Sequence, residues 1–382
     1  MRPAWVVSDS LIAPLGCTSE ENFNAFLSGK TGIRRVHDAK LSSSPVWVAA
    51  IDPVMLESQL SESGIPASFT KAESLSILSI QKALVAFPDL MAHKKTAFIF
   101  STTKGNIDHI EKKDPERLNL FFTALKIARY FRHPGNPIVV SNACISGTLA
   151  LLLAARFLDA GRYDQVVVTG TDILSSFVIS GFASLYALSD APCRPFDQMR
   201  KGINLGEAAA TIVLSRHRTD TESAAICVRG GAVSNDANHI SGPSRTGAEL
   251  AQAIGEALKQ SGLGAAHIGF ISAHGTGTRF NDDMESRAFR LAGLQEVPVH
   301  SLKGCFGHTL GAAGVVECVM SLWSLRKNVI LQSMGFREPG TAEKIHVCRK
   351  NTPKEITHFL KTASGFGGCN AALIFSKSDS YV

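Results

Sequence analysis

Residues 137–161 read PIVVSNACISGTLALLLAARFLDAG. A short apolar run, IVV, gives way to small and polar residues, and a longer apolar stretch follows as far as Gly161. The run has the length of a buried strand. The longer stretch, closed by a glycine, has that of a buried helix. Between them, at or just before the predicted helix start, stands Cys144. Free backbone N–H groups and the positive end of the helix dipole gather at such a point, and both favour thiolate over thiol. Gly147 lets another backbone or a substrate approach closely. Two readings stay open here: a packed, inert cysteine or a nucleophile.

Working outward, the chain echoes itself. TAFIFSTTKG (96–105) is matched by IGFISAHGTG (268–277). The layout of PIVVSNACISGTLALLL recurs in VPVHSLKGCFGHTLGAAGVVECVMSL (297–322), and GINLGEAAATIVLS (202–215) is matched by SGFGGCNAALIFS (364–376). The offsets, roughly 160 to 170 residues, exceed the short periods of solenoid repeats. They point to a duplicated α/β unit, with halves at 1–217 and 224–382 and a joint in the polar SRHRTDTESA (215–224). Continuous apolar runs such as QVVVTG (165–170) predict buried sheets covered by helices on both faces. A helical stretch is expected in AELAQAIGEALKQSGLG (248–264), where Leu250, Ile254 and Leu258 recur every four residues and Gly262 and Gly264 supply stop signals.

The 382 residues, 45% hydrophobic and 19% charged, suit a globular α/β enzyme large enough for two units. The net charge of +6 is spread along the chain, without the basic, aromatic-laced cluster of a nucleic-acid binder. A mildly basic surface suits an acidic protein partner. The eight cysteines are scattered with no CxxC pair, which fits the reducing cytoplasm. The start, MRPAWVVSDSLIAPLG, is broken by Ser8, Asp9 and Ser10 and makes a poor signal peptide. The apolar stretch 149–158 is too short to span a membrane and carries Arg156, so no membrane association is expected.

Two histidines sit in matching places. His274 lies in SAHGTGTRFNDDMES, just after a strand-like run, and His308 lies in the second-half counterpart of the Cys144 turn. If the halves are related by pseudo-symmetry, equivalent strand ends face one crevice where all three residues meet. A thiolate that accepts an acyl group needs oxyanion stabilisation and a proton-handling partner. Cys305 and His308 form a C-x-x-H pair without further ligands at short spacing, so no metal is expected. The Gly-rich GTGT and GFGG lack dinucleotide or Walker spacing.

Taken together, SNACISG, GFASLYALS, RPFDQMRKGINLGEAAA, SNDANHISGPSRTG, SAHGTGTRFNDDMES, SLKGCFGHTLGAAGVVE and SGFGGCNAALIF run nearly the length of the chain in order. The sequence resembles the elongating β-ketoacyl-[acyl carrier protein] synthases of the thiolase superfamily. That resemblance implies a five-layered αβαβα fold of two pseudo-symmetric halves. It implies Cys144 as acyl-accepting nucleophile, His274 and His308 as catalytic histidines, and Lys303 and Glu317 as supporting charges. The backbone N–H groups of Cys144 and Phe366 match the oxyanion hole, with Phe366 also the aromatic gate. Thr276 and Thr278 match the threonines that bind the phosphopantetheine arm. It further implies decarboxylative Claisen condensation on carrier-bound thioesters, with no metal or organic cofactor.

The implied partners are acyl carrier protein and a second subunit, in a homodimer or in a heterodimer with a chain-length-factor-like protein. Where the family usually shows ACSTG or ACASG this chain has ACISG, so Ile145 is expected to narrow the space beside the nucleophile. The expected pathway is fatty-acid or specialised polyene or polyketide biosynthesis. The segment 106–135 is shorter and more charged than usual in the family, and that shortening suits a specialised pathway rather than housekeeping fatty-acid elongation. Lys71 and Arg194 are candidates for carrier docking. The rivals are a non-condensing chain-length-factor-like subunit, disfavoured by the retained Cys144, His274 and His308, and a thiolase acting on coenzyme A esters. The thiolase reading is disfavoured because Cys369 stands in GFGGCNA rather than in a CxG spacing. A cysteine hydrolase is a third rival; it needs water access and no decarboxylation.

Overall fold

The computed structural model describes residues 1–112, 114–218, 225–237, 240 and 242–378. Most of the 215–224 joint lies outside them, as do three residues of the SNDANHISGPSRTG block. The strands of the main sheet are β1 (Ala4–Ile12), β2 (Thr96–Ser101), β3 (Ile138–Val140), β4 (Gln165–Asp172), β5 (Ala208–Ser215), β6 (Ala225–Asn235), β7 (Phe270–Ser272), β8 (Val299–His300), β9 (His358–Gly365) and β10 (Cys369–Ser378). Among the described residues they form a ten-stranded sheet ordered β8-β7-β9-β10-β6-β1-β5-β4-β2-β3. The seam is antiparallel, at Ala4 opposite Val228 and Trp5 opposite Cys227.

Read outward from that seam, each half places its first, fifth, fourth, second and third strand in the same order. The directions match too: in each half the first strand is antiparallel to the fifth and the fifth to the fourth, and the outer three are parallel. The three echoing sequence pairs fall on β2 and β7, β3 and β8, and β5 and β10, at equal distances from the seam.

Eight helices matter to the site: α1 (Lys71–Ala83), α2 (Leu120–Tyr130), α3 (Ser146–Asp159), α4 (Ser176–Ser184), α5 (Ala248–Ser261), α6 (Arg279–Leu291), α7 (Lys303–Phe306) and α8 (Ala313–Lys327). α3 and α8 touch each other and strands of both halves. They are apolar nearly all round, as helices buried on every side must be. α1 and α2 cover the outer face of the first half, and α5 with α6 that of the second. The architecture is thus a five-layered αβαβα sandwich. Every residue of β5 is buried, as is every residue of β4 after Gln165, in keeping with sheets covered on both faces.

The middle layer is tight where it approaches the site. A Cβ on Gly147 would lie 2.8 Å from the Val315 nitrogen and 3.1 Å from the Gly314 Cα. Gly147 therefore serves the approach of another backbone rather than a substrate. No helix among the described residues is long and apolar enough to cross a membrane.

Candidate active site

The ends of four strands, three from the second half and one from the first, converge. Cys144 follows β3, His274 follows β7, His308 follows β8 and the short α7, and Phe366 follows β9. Cys144 sits two residues before α3, and the residue ahead of it, Ala143, is held at φ 44°, a left-handed conformation costly for any residue with a Cβ. Ser146 fixes this turn: its hydroxyl accepts from Asn142 N and donates to the Ala143 carbonyl. The Cys144 sulfur and one nitrogen from each of His274 and His308 all lie within 4.8 Å of one another. The two imidazoles meet edge to face, with centroids 5.2 Å apart. Cys144 keeps 8% of its surface exposed and both histidines less.

The hydrogen bonds fix which way each imidazole faces. His308 Nδ1 accepts from the Leu310 backbone N–H at 3.2 Å. His274 Nδ1 lies 3.3 Å from Lys303 Nζ, and an ammonium can only donate. In both rings the proton therefore sits on Nε2, and His308 Nε2 has no partner among the described residues. Burial first, and then the charge of Lys303, holds both imidazoles well below the ordinary histidine range, so they are neutral donors. A metal-bound histidine usually donates from its other nitrogen, and here that nitrogen accepts. The Cys144–His274–His308 cluster is thus arranged to donate N–H groups rather than to hold a cation.

Lys303 is fully buried, and its three donors are all used: on the His274 carbonyl at 2.6 Å, on Glu317 Oε1 at 2.5 Å and toward His274 Nδ1. The helix start does not leave Cys144 as a resting thiolate. Burial pushes its thiol up to about 12, against the pull of the Lys303 charge and of the Phe366 N–H that faces it. Phe366 is 38% exposed, and its ring stacks on Phe182 of α4 at 5.8 Å. Thr276 and Thr278 join through their hydroxyls at 2.8 Å on the loop after His274.

Other residues took up places that the motif reading did not assign. Asp282 and Glu285, one turn apart on α6, hold the His274 loop. Asp282 accepts from the backbone of Phe196, Thr276 and Gly277, and Glu285 from that of His274 and Gly275. Burial raises Asp282 to about 6 and Glu285 to about 7. Two acids three residues apart behind a Gly/Thr loop, facing inward on a helix, were the available signal. Asp172, at the end of β4, collects Thr102, Thr103, Lys104 and Gly311 and so ties the first half to the loop after His308.

Other expectations change. Ile145 packs into a small core cluster with Ala363, Cys369 and Ala371. Lys71 is committed to the buried Glu207 at 2.7 Å, and Arg194 to the Gly335 carbonyl and Asp197.

The comparisons with known proteins agree with this geometry. Residues 117–220 match the family "Beta-ketoacyl synthase, N-terminal domain" and residues 225–337 match "Beta-ketoacyl synthase, C-terminal domain". The chain is 29% identical to a 3-oxoacyl-[acyl-carrier-protein] synthase 2 of Rhizobium meliloti (strain 1021), over 99% of each chain. It is 31% identical to a putative polyketide beta-ketoacyl synthase 1 of Streptomyces cyaneus, over 72% of this chain and 68% of the other. Among solved structures it is similar to a ketosynthase from Xenorhabdus doucetiae, determined in complex with its chain length factor. There the TM-score is 0.86 and the identity 25%, covering 99% of this chain and 98% of that one.

Proposed function

The chain belongs to the β-ketoacyl synthase family, whose elongating members are acyltransferases of the thiolase superfamily, and we propose that Cys144, His274 and His308 carry its decarboxylative Claisen condensation. The observation that supports these roles is the meeting of one thiol and two Nε2–H imidazoles within 4.8 Å, contributed by both halves of the chain.

In the first step Cys144 Sγ attacks a carrier-bound acyl thioester. The carrier sulfur leaves, and the thiol proton passes to it in net exchange, so a protonated resting thiol is compatible with the step. The tetrahedral oxyanion rests on the backbone N–H groups of Cys144 and Phe366. A malonyl-carrier then enters along Thr276 and Thr278. Its carboxylate C–C bond breaks, carbon dioxide departs, and the electron pair moves into an enolate whose oxygen is held by the two Nε2–H donors. Donors already in place in a dry site need no reorganisation as this charge develops. The enolate carbon attacks the acyl-Cys144 carbonyl, the carbon–sulfur bond breaks, and Cys144 takes up one proton from solvent, the proton the overall condensation consumes. Lys303 and Glu317 hold His274 in its tautomer. In this reading the condensation uses no metal or organic cofactor.

Exposure to a carrier-bound acyl chain followed by peptide mass spectrometry tests the nucleophile. The adduct is expected on Cys144 and is expected to vanish in Cys144→Ala; an adduct on another cysteine overturns the assignment.

A homodimer is the quaternary reading, with a chain-length-factor-like heterodimer as its alternative. It is supported by β3 at the sheet edge and by the exposed Phe121 and Phe122 of α2 nearby. Sedimentation of the purified chain at one subunit's mass would remove the homodimer. The eight free cysteines suit a reducing compartment such as the cytoplasm. The segment around α2 leaves fatty-acid and specialised polyene or polyketide substrates both within this reading.

A further inference from the structure

Lys361 lies in the middle of β9, in the run HFLKTASG, and its side chain is fully buried. A charge in that position is costly unless it is paired. Its ammonium donates to the Thr362 carbonyl at 2.6 Å and to the Ser272 carbonyl at 3.2 Å, and lies 3.5 Å from that of Ala273. Ser272 and Ala273 are the two residues that lead into His274. The same ammonium stands 2.6 Å from Glu317 Oε2, an ion-pair contact rather than an aligned hydrogen bond. Glu317 Oε1 is taken by Lys303. One buried carboxylate therefore lies between two buried ammonium groups, and the network Lys303–Glu317–Lys361 keeps one positive charge behind the imidazoles.

We propose that Lys361 is a positioning residue for the condensation. It draws on Glu317 from the side opposite Lys303, clamps the strand end that carries His274, and leaves the network behind the two imidazoles positively charged. The proposal rests on the reaction assigned above. With an apolar residue at 361, Glu317 would cancel Lys303 and the wall behind His274 would be neutral. With lysine there, the surplus charge faces the side on which the enolate builds, and it also discourages protonation of either imidazole.

The neighbours that share this field are known. Lys303 enters from α7, Glu317 and Cys318 from α8, His300 from β8, and Cys144 from the turn before α3. Glu285 comes from α6, accepting from Thr362 Oγ1, with Asp282 behind it. Loss of a nearby cation raises the pKa of every one of these groups that titrates. The decarboxylating form needs neutral imidazoles, so its rate falls as acid protonates them. Raising their pKa moves that fall to higher pH.

The test is release of carbon dioxide from malonyl-carrier by wild type, Lys361→Met and Lys361→Arg from pH 8 down through the acid limb, to the lowest pH at which all three proteins stay folded. The acid limb of Lys361→Met is expected about 0.5 to 1 pH unit above that of wild type, for a cation acting through a medium of intermediate dielectric. Its kcat is expected to fall and its KM to hold. Lys361→Arg is expected to return the limb to the wild-type position. A Lys361→Met limb that coincides with wild type overturns the proposal while leaving the reaction intact. A wild type that releases no carbon dioxide overturns the reaction and this proposal with it. If Lys361→Met does not fold, Lys361→Gln is measured in its place. Failure of both to fold, with Lys361→Arg folded, makes the ammonium a folding element and also overturns the proposal.

Discussion

His308 can donate into the site because its other nitrogen is already taken. Leu310 N–H occupies Nδ1, which leaves the proton on Nε2 with no partner among the described residues. An unmatched buried donor normally costs about 1–3 kcal/mol; here it is stored where an enolate oxygen is expected to accept it. Cys144 needs none of this for its first step, since thioester exchange conserves the thiol proton. The two half-reactions should therefore separate. In His308→Ala the acyl adduct on Cys144 still forms, while carbon dioxide release from malonyl-carrier falls about 10²–10³-fold, the usual loss on removing one oxyanion donor. Radiolabelled carbon dioxide measures the second, and mass spectrometry the first. Release at the wild-type rate would take His308 out of its role.

At the scale of elements, the site depends on how closely α3 and α8 run. Gly147 and Gly314 face each other there: a Cβ on either would strike backbone atoms of the opposite helix at 2.8 Å or less. That approach brings the turn of Cys144 and the turn of His308 to one place. Much of this was legible in the sequence, because periodicity and apolar runs record burial. IVV before Cys144 became β3, the helical stretch expected in 248–264 became α5 and ends before its first stop signal, Gly262, and three internal echoes fell on strands with equal places in each half. What could not be read was the direction of individual polar side chains. Nothing local to 358–365 records that Lys361 reaches Glu317 on α8. Lys71 and Arg194 looked like free surface charges, yet each meets a carboxylate distant in sequence or folded back upon it. The helix start at Cys144 was legible, but the burial that outweighs it in the resting thiol is a property of the assembled layers.

Across the whole molecule, the buried ionisable groups set opposing pH dependences of stability. Asp282 and Glu285 have folded values, about 6 and about 7, above those of the unfolded chain. They favour the folded state in acid, and that contribution is lost as pH rises through those values. His274, His308 and His300 act in the other direction. His300, fully buried and stacked on Phe270 at 5.2 Å, has neither ring nitrogen partnered among the described residues, and burial first, then Lys361, lowers it to about 3. Its folded value lies below the unfolded one, near 6.5. The unfolded chain therefore takes up a proton below about pH 6.5 that the folded chain refuses until about pH 3, and stability drains away over that interval. Between pH 6.5 and 5 the loss from this one residue is about 2 kcal/mol. His300→Leu removes it without touching the imidazoles of the site. Urea unfolding of wild type and His300→Leu at pH 6.5 and pH 5 should show wild type losing about 2 kcal/mol more than the variant over that interval. Parallel losses in the two proteins would mean that His300 takes up its proton within the fold, and that the layer around β8 is open to water.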